Sequence, residues 1–96
     1  MIPRQEVYAA IDSERDYQDQ VWASNNPANP QPPREGEPAR ALSIGEDILL
    51  MEEYLTRARA QWTKEARPEW GALDIIRKVA GIAVRCMETN GAPKRK

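Results

Sequence analysis

The chain has no histidine, no phenylalanine, a single cysteine and almost no excess of one charge over the other. Each gap removes a class of function. Without histidine, the commonest zinc ligand and the usual acid-base group near neutral pH are missing, so catalytic triads and histidine metal sites are excluded. Carboxylates, Lys, Tyr and Cys86 are all that remain for chemistry. One cysteine cannot close an internal disulfide. No apolar run approaches the roughly 20 residues that span a bilayer. Met1-Ile2-Pro3-Arg4 leads into charged and polar sequence and not into the apolar stretch of a signal peptide. These features predict a reducing cytoplasm and no membrane partner. With 14 basic and 15 acidic side chains the formal charge is -1. A general nucleic-acid binder needs a cationic excess, so any anion site must be local.

A chain of 96 residues reads as one domain whose buried surface is modest, which predicts assembly into a homo-oligomer. Pro3 suits a first helical turn, and residues 4–22 contain neither Gly nor Pro. Val7, Ala10, Ile11, Tyr17 and Val21 fall near one stripe of this first helix. Residues 24–40 then gather Pro27, Pro30, Pro32, Pro33 and Pro38 with three Asn and a Gly. No packed helix or central strand tolerates that composition, so this is a linker within the domain.

A second helix starts at Ser43-Ile44-Gly45-Glu46, whose first and last residues are spaced for a reciprocal capping box. Ile44, Ile48, Met51, Leu55, Ala58 and Trp62 follow at spacings of four and three, an apolar seam running to the break before Arg67-Pro68. A third helix runs from Pro68 or Glu69 to Thr89, with Asn90-Gly91 suited to a left-handed stop. It carries two apolar stripes: Leu73, Ile76, Ala80, Val84 and Met87, and then Ile75, Val79, Ile82 and Cys86. An arc that wide faces two neighbours and makes this helix the centre of the core. No segment alternates with period two. The expected fold is all-α: an N-terminal helix followed by a long antiparallel helical hairpin.

Arg77, Gly81 and Arg85 are four residues apart and share one face of the third helix, with Lys78 adjacent. A mid-helix Gly costs about 1 kcal/mol relative to Ala, so its place between two arginines needs a reason. One is close approach by a ligand: guanidinium forks match phosphate oxygens, and Arg77, Lys78, Arg85 and Gly81 then form an anion site. The other is structural, with the cations paired to acids of helices one and two and Gly81 permitting a tight helix crossing. The charge distribution suits such pairing. Through Trp22 two basic residues (Arg4, Arg15) face five acidic ones (Glu6, Asp12, Glu14, Asp16, Asp19), net -3. From Trp70 onward six basic residues (Arg77, Lys78, Arg85, Lys94, Arg95, Lys96) face two acidic ones (Asp74, Glu88), net +4. Lys94-Arg95-Lys96 reads as a solvated tail. Tyr8, Asp12 and Arg15, at helical spacing, supply a polar wall, and Tyr8 or Trp22 a ring for a base. Trp22, Trp62 and Trp70 also read as core plugs at helix ends, and Cys86 as a buried small hydrophobe that nothing nearby activates.

Glu46, Asp47, Glu52 and Glu53 are the one acidic group that could hold magnesium. Glu46 is used by the cap and Glu53 precedes Arg57 by four residues, a favourable ion-pair order. The third helix adds only Asp74 and Glu88, about four turns apart, too far to share an ion. No catalytic residue, metal site or cofactor is therefore expected.

Two stretches carry a resemblance. Ile11-Asp12-Ser13-Glu14-Arg15-Asp16-Tyr17-Gln18-Asp19 with Trp22 resembles the opening motif of a widespread family of small bacteriophage proteins. Ile76-Arg77-Lys78-Val79-Ala80, Cys86-Met87-Glu88 and Asn90-Gly91-Ala92-Pro93 with Arg95 resemble its closing motif. Gly45-Glu46 and Leu50-Met51-Glu52 leading to Trp62 also fit, which leaves only the proline-rich linker outside. More remotely the chain is similar to the MazG-like all-alpha nucleoside triphosphate pyrophosphohydrolases, helical oligomers that hold magnesium with a Glu-Glu-x-x-Glu group and a Glu-x-x-Asp pair. Thr56 stands where the third carboxylate of the group would fall, and Ile75 and Lys78 where the acidic pair would be. The resemblance implies a phage accessory protein in the host cytoplasm. With the spacing of Arg77, Lys78 and Arg85 and the missing magnesium carboxylates, the expectation is that it sequesters a phosphate-bearing nucleotide without cleaving it, a host immune signal being one such ligand. Two alternatives stand beside it: an interaction module that inhibits a host protein, and a weak magnesium-dependent pyrophosphohydrolase, the one reading that needs a cofactor.

Overall fold

The structure, a computed structural model, describes residues 1–23, 42–64 and 68–96, with side chains for 1–20, 42–64 and 71–96. The proline-rich linker of residues 24–40 and the side chains of Val21, Trp22 and Trp70 lie outside the described residues. Three helices make up the fold: α1 (Arg4–Ala23), α2 (Ile44–Lys64) and α3 (Pro68–Asn90). The fold is all-α, as the sequence predicts, with no strand among the described residues. The chain divides into two compact units, Met1–Ala41 with α1 and Leu42–Lys96 with α2 and α3.

In the first unit the Pro3 carbonyl accepts from the amides of Glu6 (3.0 Å) and Val7 (3.3 Å), which opens α1 at the predicted place. The predicted apolar stripe is not its covered face. Val7 and Tyr17 are exposed, whereas Glu14, Arg15 and Gln18 are buried. Positions 11, 14, 15 and 18 form an equally good helical stripe, and the long stems of Glu14, Arg15 and Gln18 supply apolar surface along it. Arg15 Nη2 lies 3.0 Å from Asp19 Oδ1, one turn on.

In the second unit the ends of both helices follow from local chemistry. The Glu46 amide donates to Ser43 Oγ at 3.1 Å, and the Ser43 amide donates to Glu46 Oε1 at 3.1 Å, the reciprocal box that the sequence predicts. Replacing Ser43 with alanine strands an amide of the first turn and should cost about 1 kcal/mol, with aspartate restoring most of it. Urea unfolding followed by helical circular dichroism measures this; equal stability of the wild type and the alanine variant would contradict the cap. α3 starts at Pro68. It ends at Gly91, where φ is +123°, and the Gly91 amide closes the last turn on the Met87 carbonyl at 2.9 Å.

α2 and α3 pack as an antiparallel hairpin: Ile44 lies with Cys86 and Asn90 at one end, and Gln61 with Gly71 at the other. The buried apolar core is Ala58, Ala72, Ile75 and Ile82, with Ile82 only 1% exposed. The second predicted stripe of α3, through Ile75 and Ile82, thus faces α2. The first does not, since Leu73, Ile76 and Met87 are exposed. The α2 seam is corrected likewise: Ile44, Ile48, Leu55 and Trp62 are exposed, so Trp62 is no core plug. The covered line of α2 is Asp47, Met51, Tyr54, Ala58 and Gln61, two of them buried and three half-buried. Its spacings of four and three are as regular as the seam's, but its polar members hide it from a reading by hydrophobicity.

Candidate functional site

Asp74 sits one turn before Arg77 and Lys78, and helical spacings of three and four bring both cations over its carboxylate. Arg77 Nη2 is bonded to Asp74 Oδ1, and Lys78 Nζ lies 3.5 Å from Asp74 Oδ2. Lys78 leans from there into a cleft of about 410 Å³ between α2 and α3. Tyr54, Arg57 and Gln61 line its α2 side, and Gly71, Asp74 and Lys78 its α3 side. The Arg57 guanidinium carbon lies 5.0 Å from the centre of the Tyr54 ring. Its Nε donates to Glu53 Oε1 at 3.3 Å, the predicted pair. Ring and carboxylate together fix the orientation of an arginine whose side chain is still 58% exposed.

This arrangement places one cation from each helix, an amide and an aromatic ring around one concave volume. Each of the two cations already has a carboxylate partner, Glu53 for Arg57 and Asp74 for Lys78. Asp74 is held by two cations and Glu53 by Arg57.

Of the residues that the sequence singles out, the structure brings Arg77 and Lys78 together on Asp74. Gly81 is buried further along α3, and Arg85 is half-buried a turn beyond it. Tyr8 and Asp12 are exposed on α1 and Arg15 is buried there, in the other unit; the Trp22 side chain lies outside the described residues. Tyr54, Arg57, Gln61 and Gly71 were not singled out as site residues. Their signal is hairpin symmetry: in an antiparallel pair, residues equally far from the turn face each other, which sets Tyr54 beside Lys78 and Gln61 beside Gly71.

No protein-family model, curated protein or solved structure matches the chain.

The acidic group of α2 scatters. Glu46 caps the helix, Glu53 holds Arg57, Glu52 is exposed and Asp47 is buried. Among the described residues no three Cys, Asp or Glu side chains come together as metal ligands. Asp47 is 1% exposed, and its Oδ1 has no hydrogen-bond partner. It lies against Cys86, which borders a shallow cavity of about 650 Å³ with Ile44 and the Asn90–Pro93 turn. Burial pushes the Cys86 thiol above its ordinary range, a hydrogen bond to the Asp47 carboxylate and that group's charge push it further, and the Asn90 amide pulls it back. A raised thiol is a poor nucleophile near neutral pH, although Cys86 is half-buried and not the fully buried small hydrophobe that the sequence predicts. A folded pKa above the unfolded one also means that this group's contribution to stability is complete below the ordinary thiol range, near about 8.5. It is lost as pH rises through the folded value. Asp47→Asn should bring the thiol back toward that range, read as thiolate absorbance against pH; an unchanged or higher midpoint would contradict the contact.

Proposed function

We propose that the chain binds a phosphate-bearing nucleotide in the α2–α3 cleft and holds it intact. Arg57 and Lys78 take the phosphate oxygens, Arg77 shares the Asp74 carboxylate with Lys78, and the Tyr54 ring backs the Arg57 guanidinium. The observation that supports this reading most directly is the convergence of Arg57 and Lys78, from different helices, on one cleft beside an aromatic ring. Charge-assisted hydrogen bonds contribute about 1.5–3 kcal/mol each, so two or three of them supply about 3–9 kcal/mol, most of it offset by the cost of association, which places the expected affinity at micromolar or weaker. Both nearby carboxylates are occupied by cations, which favours retention over hydrolysis. The bacteriophage setting rests on the resemblance of the two end motifs; withdrawal of a host immune signal in the infected cell is the role this proposal adds to it.

The test is calorimetric titration of the full chain with ATP, ADP, cyclic di-AMP and cyclic di-GMP, with and without magnesium, followed by chromatography of the recovered ligand. Saturable heat from at least one compound, no need for magnesium, and unchanged nucleotide at the end are expected. Magnesium-dependent release of pyrophosphate, abolished in Glu52→Gln, would instead support the hydrolase.

A further inference from the structure

We infer that a second copy of this chain covers the exposed apolar face of the α2–α3 hairpin, in a two-fold pairing of α2 against α2. Ile48, Leu55 and Trp62 on α2 are 46%, 49% and 60% exposed, and Leu73, Ile76 and Met87 on α3 are 59%, 49% and 45% exposed. On each helix this stripe is rotated in the same sense from the line that meets the other helix. In an antiparallel pair such stripes lie on one side of the hairpin, so the six side chains form one apolar face. The cleft with Arg57, Asp74 and Lys78 is on the opposite side.

The area fits a second copy. Six large side chains that keep about half of their surface present about 600 Å², as large as the biggest apolar patch of an ordinary monomer. Two such faces with their rims reach the roughly 1,200–2,000 Å² of a stable interface. The need fits as well. Only four apolar residues are buried among those described, a thin core for a domain of this length, and pairing would turn the hairpin into a four-helix bundle.

Charge fixes the register. Glu52 and Arg59 flank Leu55 on the outer edge of this face, seven residues or about 10 Å apart. Both are exposed, and neither forms an ion pair among the described residues. A two-fold axis beside Leu55 and Thr56 sets Glu52 of one copy opposite Arg59 of the other, twice, and brings Ile48 opposite Trp62. A parallel pairing in register would set like charges together, which is unfavourable.

Sedimentation equilibrium of the full chain over a micromolar range tests this, with circular dichroism to confirm that each variant stays helical. The wild type should be a dimer. Leu55→Lys should be a helical monomer. Glu52→Arg and Arg59→Glu should each weaken dimerisation by about tenfold or more, and the double swap should recover it. A monomeric wild type overturns the proposal, as does a dimer indifferent to Leu55→Lys or a double swap no tighter than either single reversal. A monomer that captures a host protein on this face also overturns it.

Discussion

Truncating Ile82 to alanine should destabilise the protein by about 3 kcal/mol, the largest effect expected of any single deletion in the hairpin. The side chain is 1% exposed and stands at the middle of a core whose other buried apolar members, among the described residues, are two alanines and Ile75. Removing three carbons there forfeits their transfer energy and leaves a cavity that two rigid helices cannot close, for which Ile→Ala changes cost about 2–5 kcal/mol. Small domains have about 5–15 kcal/mol in all, so the variant should lose a large part of its margin. Leu49, 67% exposed and on neither apolar line, is the control. Leu49→Ala should change the unfolding free energy obtained from urea titration by about 0.5 kcal/mol or less. Comparable losses at the two positions would mean that the hairpin does not pack along Ile75, Val79 and Ile82.

Neutralising the two cleft cations should abolish ligand binding without unfolding the chain. Arg57 is exposed and Lys78 half-buried, so Arg57→Gln and Lys78→Gln remove charge from the rim of the cleft and leave the buried core untouched. Each loss of a charge-assisted contact to phosphate is worth about 1.5–3 kcal/mol, or roughly tenfold to a hundredfold in affinity. The double variant should fall by about 10²–10⁴ if the two contacts act independently. Asp74 keeps Arg77 as a partner in Lys78→Gln, so the helix should stay folded. Added salt should weaken wild-type binding, since the cleft is open to solvent. Lys94→Gln, in the exposed tail, should leave affinity unchanged. An equal loss in Lys94→Gln would point to diffuse electrostatic attraction and away from the cleft.

The parts of the fold legible in the sequence are those decided within one turn of chain. Ser43 and Glu46 cap each other because their spacing allows it, Pro68 opens α3 because its missing amide costs nothing there, and Gly91 closes it because only glycine takes φ = +123° without strain. Which face each helix covers was not legible on α1 and α2. Hydrophobic periodicity tells which residues align, and when two lines align equally well it does not choose between them. α2 covers the line with Asp47, Tyr54 and Gln61 and leaves out the more apolar Ile48, Leu55 and Trp62. The candidate site divides in the same way. Lys78 and Arg77 stand out because they are neighbours on one helix, whereas Arg57 and Tyr54 join them only through the register of the hairpin, a non-local property. Asp47 stands in the sequence as one of four acids of α2 with nothing to set it apart, and it is the least exposed carboxylate among the described residues.

Everything proposed for function depends on the α2–α3 cleft accepting phosphate, and a binding isotherm reads that directly. Titrating cyclic and linear nucleotides into the wild type and into the Arg57→Gln/Lys78→Gln double variant, side by side, should give a saturable curve only for the wild type, with the compound recovered uncleaved. A flat trace for every nucleotide in the wild type, or the same curve in both proteins, would contradict the account.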